Sequence, residues 1–370
     1  MPTIPRTQRA LVVQGPNSLR CVTNSPVPCL AGDQILVQTK AVALNPSDWK
    51  MLEAAAATPG AISGSDFAGV IVACGEQVQN LSIGERVCGF VFGASPTSPQ
   101  NGAFAEYLVA YPDLCFKVPD SMTFEQAASV GMGLMTVGLL FRSLGLQTQT
   151  QTDISPTPDT ADTADAANIN KPFVLVYGGS TATGTLAIQL LRHHGYQPIT
   201  TCSPRHFPLV TQRGAVAAFD YASRTCKEDI RAYTKGTLGF AMDCIADSHA
   251  TTVCYGAIGG NQGGRYCALD LYPPRLEGRR QDIQPEWIHS ATIFEADVQL
   301  AGSYHRTARP GDREFAIEWA RHCTQLLARG ALQTHPLQVQ KGGLPRIVGD
   351  LPLLRRNQIS GRKLVYPVGQ

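Results

Sequence analysis

Residues 173–192, FVLVYGGSTATGTLAIQLLR, decide the fold. Phe173-Val174-Leu175-Val176-Tyr177 is an apolar, β-branched run of strand length. Gly178-Gly179-Ser180-Thr181-Ala182-Thr183-Gly184 follows, and then Leu186, Ile188, Leu190 and Leu191 repeat at helical spacing. Strand, glycine turn and helix in this order present backbone N–H groups to a dinucleotide pyrophosphate. The reading implies redox chemistry borrowed from a nicotinamide cofactor.

Outward from this stretch, strands and helices alternate. The pattern predicts strands at 197–203, 217–221, 240–245 and 264–271, and helices at 207–213, 226–235 and 248–258. Such alternation is the βα signature of a parallel sheet, an α/β fold. The first ~110 residues read instead as β structure. Residues 9–14 and 34–42 alternate like strands, and 69–73 with 85–92 form a second pair, punctuated by Gly and Pro. Residues 124–144 turn helical. Residues 313–329 and 347–355 read as helices and 363–368 as a last strand. The C-terminus therefore completes the N-terminal β domain, with the nucleotide domain inserted between. Residues 147–170 are rich in Thr, Asp, Ala and Pro and carry almost no large apolar side chain. They read as a flexible surface insertion or as an interdomain linker.

The chain has 370 residues, enough for two domains, and 44% of them are hydrophobic. A net charge of +2, spread along the chain, gives no nucleic-acid or membrane-surface footprint. The longest greasy stretch, 127–141, is short for a bilayer and holds three glycines. No basic-then-apolar leader opens the sequence. Eleven cysteines form no CxxC pair, and Cys74, Cys88, Cys202 and Cys244 lie in apolar runs. They read as reduced, buried thiols of a soluble cytoplasmic protein.

The end of the second strand of the nucleotide domain distinguishes the two nicotinamide cofactors. An Asp or Glu there accepts from the ribose 2′-OH in NAD enzymes. This chain has Ser203-Pro204-Arg205-His206, with no carboxylate to repel a 2′-phosphate. Ser203 can donate, and Arg205 can make charge-assisted bonds, so the segment favours NADPH. The alternative is an Arg205 that merely solvates a helix start. Tyr221, at the next strand end, flanks the adenine or is an ordinary strand-end aromatic.

Zinc alcohol dehydrogenases join a β domain to a nucleotide domain of this kind, and need Cys and His ligands. Gly64-Ser65-Asp66-Phe67-Ala68-Gly69 stands where such an enzyme carries Gly-His-Glu. Asn45-Pro46-Ser47-Asp48 stands in place of its first cysteine ligand, and the four-cysteine structural lobe is missing. The expectation is no metal site. Without a Lewis acid, alcohol oxidation is disfavoured and reduction of an activated C=C bond remains.

ALNPSDWKM (43–51), GSDFAGVIVACGEQV (64–78), IGERVCGF (83–90) and GAFAEYLV (102–109) resemble the zinc-free, quinone-oxidoreductase-like branch of the medium-chain dehydrogenase/reductase superfamily. YGGSTATGTLAIQLLR, ITTCSPRHF, FDY, AMDCI and ISGRKLV are similar to a narrower group, the trans-acting enoyl reductases that serve fungal highly reducing polyketide synthases. The similarity runs end to end apart from the insertion. It implies a GroES-like β domain formed by 1–144 and 300–370, an insertion at 145–170, and an NADP-binding Rossmann domain at 171–299. It also implies a stand-alone enzyme of secondary metabolism that reduces an α,β-unsaturated thioester. The thioester would sit on the acyl carrier domain of a partner synthase, hybrids with nonribosomal peptide synthetases included.

On this pattern Ser47, Asp48, Trp49, Lys50, Ser180, Thr181, Ala182, Thr183, Ser203, Pro204, Arg205, His206, Tyr221, Leu269, Ile359 and Ser360 would contact NADPH. Leu269 lies in a segment more polar in the family, so it would add only backbone or packing contact. Val137, Gly138, Leu139, Leu140, Phe141, Arg142, Ser143 and Leu144 would line the acyl channel with Thr292, Ile293, Phe294, Glu295 and Ala296. Core packing is the default reading for the apolar members. Lys50 would polarise an enolate oxygen or relay a proton, or else is an exposed helix-start lysine. Thr136 would bond the carboxamide or the thioester carbonyl, or else its own helix backbone. Arg275, Arg279, Arg280, Arg355, Arg356 and Arg362 form either a docking face for an acidic carrier domain or a solvated basic face. Two competing functions remain: a general NADPH quinone or enal reductase, and a non-catalytic NADPH-binding protein. The group resembles monomers, and the glycine-rich run 255–264 would make a poor dimer edge.

Overall fold

The structure is a computed structural model that describes residues 4–53, 58–148, 172–259, 263–273 and 280–369. Most of the insertion, and Arg275 and Arg279, lie outside the described residues. The chain divides into two compact units, Met1–Met135 with Ser290–Gln370, and Thr136–His289. The sequence reading put these breaks after residue 144 and at residue 300.

In the first unit, β1 (Thr7–Gly15) and β2 (Ser18–Pro26) form an antiparallel hairpin. The sequence reading missed β2 because exposed polar residues fill it, and β1 does not pair with the strand at 34–42. Then come β3 (Ile35–Ala43), α1 (Pro46–Glu53), β4 (Asp66–Cys74), β5 (Arg86–Phe90), β6 (Tyr107–Ala110) and β7 (Phe116–Lys117). β3, β4 and β5 pair antiparallel in that order, so the expected second pair, 69–73 with 85–92, is β4 with β5.

The expected helix at 124–144 is broken in two, α2 (Phe124–Ala128) and α3 (Gly131–Leu144). Thr123 and Gln126 form a reciprocal capping box at the start of α2, and Ser129 caps its end. The stretch Phe124–Leu144 is long and apolar enough to cross a membrane, but 83% of its apolar window is buried inside the protein. α3 is a core helix; Leu134, Val137, Leu140 and Phe141 are at or near zero exposure.

The second unit begins within α3 and continues with β8 (Phe173–Tyr177), α4 (Ala182–His193), β9 (Gln197–Cys202), α5 (Phe207–Gln212), β10 (Ala217–Asp220) and α6 (Cys226–Tyr233). β11 (Phe240–Asp243), α7 (Ser248–Ala257), β12 (Gly264–Ala268) and β13 (Ile283–Trp287) complete it. All six strands are parallel, in the order β10-β9-β8-β11-β12-β13. Numbered within the unit this is 3-2-1-4-5-6, the doubly wound order with its switch point between the first and fourth strands. Leu175, Ile199, Ala241 and Tyr266 pack the sheet against Ile230, Val253 and Ile258. Fully burying a side chain of this size contributes roughly 1.5–3 kcal/mol.

β13 corrects the expectation about the sheet edge. The edges are β10 and β13, the latter with Pro285 in its middle; Tyr255 to Ala257 belong to α7. Proline breaks the N–H row that a second copy would read, which is why the pattern did not look like a strand.

The chain returns to the first unit with α8 (Asp312–Ala328), β14 (Leu337–Val339), α9 (Gly343–Arg355) and β15 (Lys363–Pro367). β15 pairs with β3, so the C-terminus completes the seven-stranded sheet. Leu344, Ile347, Leu364 and Tyr366 join Leu11, Val37 and Phe67 in one core.

None of the eleven cysteines is in a disulfide among the described residues. Cys88 and Cys202 are buried as expected, but Cys74 and Cys244 keep partial exposure, and Cys29 is exposed. Cys74 ends β4, where the strand leaves the core.

Candidate functional site

The carboxyl ends of the parallel strands gather most of the expected cofactor residues of the second unit. Between β8 and α4 the chain turns at Gly178, whose φ of +82° is a region side chains rarely adopt. A Cβ on Gly179 would stand 1.9 Å from Thr200 Oγ1, so this turn lies flat on β9. Gly178 N–H donates to Thr201 O at 3.2 Å and Gly179 N–H to the same oxygen at 3.0 Å. Thr181 is the N-cap of α4, and its hydroxyl accepts from Gly184 N–H at 2.9 Å. Ser180 to Thr183 thus form the partly exposed mouth of a helix whose N-terminal amides and dipole favour an anion.

Ser203 follows β9, and its hydroxyl donates to the Tyr221 hydroxyl at 3.4 Å, beside the end of β10. Tyr221 is 40% exposed, and its carbonyl is 2.8 Å from His249 Nε2. Pro204 and Arg205 are exposed, and Arg205 Nε lies 3.3 Å from His206 Nε2. Burial, and then the Arg205 charge, hold the His206 imidazole below its ordinary pKa. Leu269 follows β12, and its N–H bonds Asp243 O at 3.0 Å.

Ile245, at the end of β11, was missed by the sequence reading. It is 41% exposed and stands over Gly178, 3.0 Å from where a Cβ would be. An apolar residue just past a strand at the switch point is the signal that marks it. Asp243 beneath it is fully buried and accepts from the N–H groups of Ile245 and Ala246 and from the Tyr266 hydroxyl. Burial raises its pKa.

The first unit holds the other expected residues. Ser47, Asp48, Trp49 and Lys50 lie on α1. Asp48 turns inward: it is 3% exposed and accepts from Asn45 N–H at 2.7 Å and Ser65 Oγ at 3.2 Å. Its side chain is committed to the interior. Burial, reinforced by the Asp66 charge, pushes its pKa up to about 7. Asp66 accepts from Asn45 Nδ2 at 2.9 Å, Met132 N–H at 2.6 Å and Lys363 Nζ at 2.5 Å. Lys50 is partly exposed, its ammonium 5.8 Å from the Trp49 ring centre. Trp49 and Ile359 pack on the same core, and Ser360 is exposed. Among the described residues no group of three His, Cys, Asp or Glu side chains is placed to hold a metal ion.

The expected acyl-channel residues divide. Val137, Gly138, Leu139, Leu140, Phe141 and Leu144 are buried in α3, the named hydrophobics among them at most 3% exposed. They show almost no accessible surface, as core residues do. Thr136 is likewise buried, at 8%. Arg142 and Ser143 are half-buried, and Ser143 Oγ donates to Glu286 at 2.6 Å. In the first unit Thr292 and Ile293 are buried, and Thr292 Oγ1 donates to Asp312 at 2.6 Å. Phe294 is half-buried, while Glu295 and Ala296 are exposed. Phe294 packs with Met51, Phe92 and Tyr304 around Ala291, Val298 and Leu300, an apolar cluster that sequence spacing did not reveal.

Of the arginines, Arg280 is built into the second unit. It pairs with Asp282 and donates to the carbonyls of Tyr255 and Ile258 at the end of α7. Arg355 pairs with Glu53, and Arg356 and Arg362 are exposed.

A doubly wound sheet with a glycine turn at its switch point, joined in sequence to an antiparallel β unit, defines the architecture of the medium-chain dehydrogenase/reductases. Residues 31–120 match the family model of the alcohol dehydrogenase GroES-like domain. The CurK enoyl reductase structure shares the fold with a TM-score of 0.74 at 14% identity, over 97% of this chain and 99% of that one. Two curated relatives are much nearer in sequence. The trans-enoyl reductase caaB of Aspergillus niger is 45% identical over 370 residues, 99% of each protein. The trans-enoyl reductase opdC of Penicillium oxalicum is 44% identical over 374 residues, covering 100% of this chain and 99% of that protein. The chain belongs to the trans-enoyl reductase family, and it is a stand-alone enoyl reductase of secondary metabolism.

Proposed function

We propose that the protein transfers a hydride from NADPH to the β-carbon of an α,β-unsaturated acyl thioester. The thioester is carried on the acyl carrier domain of a partner polyketide synthase of the highly reducing class. Family membership supports the enoyl substrate and the action in trans. The observation that carries the cofactor choice is the group Ser203, Arg205 and Tyr221, at strand ends where no carboxylate follows β9. The donor set fits a dinucleotide: amides at the mouth of α4 for the pyrophosphate, and a hydroxyl and a guanidinium for the 2′-phosphate.

When bound, the cofactor supplies the hydride. The chain's own residues orient and polarise. Ser180 to Thr183 hold the pyrophosphate, Ile245 and Leu269 give apolar contact, and Lys50 stabilises negative charge on the thioester oxygen as the enolate forms. A proton taken from water by the α-carbon then completes the reduction. The apolar cluster around Phe294 receives the acyl chain. Eleven cysteines outside any disulfide support a reducing, cytoplasmic compartment.

The test compares NADPH and NADH consumption with three acceptors: a carrier-bound enoyl thioester, a free pantetheine enoyl thioester and a quinone. The reading expects NADPH-dependent reduction, fastest on the carrier-bound thioester. Turnover of quinone alone, or tight NADPH binding without turnover, would overturn it.

A further inference from the structure

We propose that Arg313 is a positioning residue for the acyl chain: it locks the Phe294–Glu295 turn, and the locked Phe294 ring sets which chain lengths are reduced. This rests on the reading of the Phe294 cluster as the acyl site.

Arg313 lies in the first turn of α8. A cation there opposes the helix dipole, so its place calls for another reason. Its guanidinium lies 4.8 Å from the centre of the Tyr111 ring. Nη2 donates to both oxygens of Asp113, at 2.9 and 3.2 Å, and Nε is 4.0 Å from Glu295. The Arg313 side chain is only 19% exposed and Asp113 28%, so that pair is not a loose surface one, while Glu295, 57% exposed, is a solvent-facing partner at the outer reach of an ion pair. Glu295 has a φ of +56°, a conformation a non-glycine residue keeps only when its surroundings hold it. The Phe294 ring centre lies 6.1 Å from Tyr111 and 5.3 Å from Phe90. One planar cation therefore stacks on the aromatic neighbour of Phe294 and lies within ion-pair reach of the acidic residue that follows it. Lysine has neither the fork nor the stacking plane to do both.

The experiment measures steady-state reduction of pantetheine enoyl thioesters with four- and ten-carbon acyl chains, at saturating NADPH. It uses the full-length wild type, Arg313→Lys, Arg313→Gln, Phe294→Ala and the double variant Arg313→Gln/Phe294→Ala, with melting curves for each. For both Arg313 variants kcat/KM on the short chain stays within about twofold, and on the long chain it falls roughly tenfold, through KM. Phe294→Ala shifts chain preference as strongly, and the double variant is no worse than Phe294→Ala, because the arginine acts only through that ring. Equal losses on both chains, an unchanged long-chain rate in either Arg313 variant, or additive losses in the double variant would overturn the positioning role alone. A wild type that reduces neither thioester would overturn the acyl reading, and this inference with it.

Discussion

Lys363, the first residue of β15, is 5% exposed and donates to Asp66, the fully buried first residue of β4, at 2.5 Å. Asn45 lies between them, accepting from Lys363 at 3.0 Å and donating to Asp66 at 2.9 Å. The C-terminal strand, the start of α1 and the start of α3 are thereby tied to one carboxylate, since Met132 N–H binds it too. Removing one partner of a buried pair strands a charge, which costs about 3–5 kcal/mol. Lys363→Ala is expected to lose stability on that scale, read as a shifted denaturation midpoint with an unchanged denaturant slope. A loss under about 1 kcal/mol would show that water replaces the ammonium without penalty.

Asp48 adds a pH dependence to the same region. Its folded pKa of about 7 lies above the ordinary 3.8, so the folded chain binds the proton more tightly. The stability this gives is full below pH ~4 and is lost as pH rises through about 7. Asp66 and Lys363 face Asp48 directly, and Tyr366 senses its charge. Asp48→Asn keeps an acceptor for Asn45 N–H and has nothing to ionise. It is expected to flatten the stability profile between pH 5 and 8, leaving the variant more stable than wild type, relative to pH 5, by on the order of a few kcal/mol. Chemical denaturation at several pH values checks this, and parallel profiles would remove Asp48 as the cause.

The parts legible in the sequence are the local ones. The turn at Gly178 and Gly179 is written in adjacent letters, and the strand–helix alternation around it follows from periodicity. The union of Lys363 with Asn45 is not, because 318 positions separate them and no local spacing joins residues so far apart. Leu139 and Leu140 show a different limit: in sequence an apolar helix face looks the same whether it meets a ligand or a core, and both side chains are buried. Ile245 could have been found from its place after a strand, but its exposure could not.

Ser203 and Arg205 give a prediction about cofactor choice. Each hydrogen bond to a charged group contributes about 1.5–3 kcal/mol. Arg205→Ala is expected to raise the KM for NADPH roughly tenfold to a hundredfold and to leave the KM for NADH within about twofold. Ser203→Asp goes further, placing a carboxylate where it repels the 2′-phosphate and accepts from a 2′-OH, and so inverts the preference. Kinetics with both cofactors decide. If both KM values rise together in Arg205→Ala, the arginine supports the turn and does not read the phosphate.

Lys50 tests the chemistry itself. It is partly exposed on α1, beside the Trp49 ring. Lys50→Ala is therefore expected to keep its melting temperature within about 2 °C, since surface changes stay within about 0.5 kcal/mol. An ammonium that stabilises an enolate oxygen acts more on the transition state than on the ground state. Its loss lowers kcat by roughly tenfold to a thousandfold, the range of a single oxyanion donor. Lys50→Arg keeps the positive charge but moves it, and should recover part of kcat while leaving NADPH affinity close to wild type. Pre-steady-state hydride transfer on a short enoyl thioester separates this from a binding effect. A KM change with an unaltered chemical step would assign Lys50 to holding the cofactor and leave the enolate to be stabilised by another group.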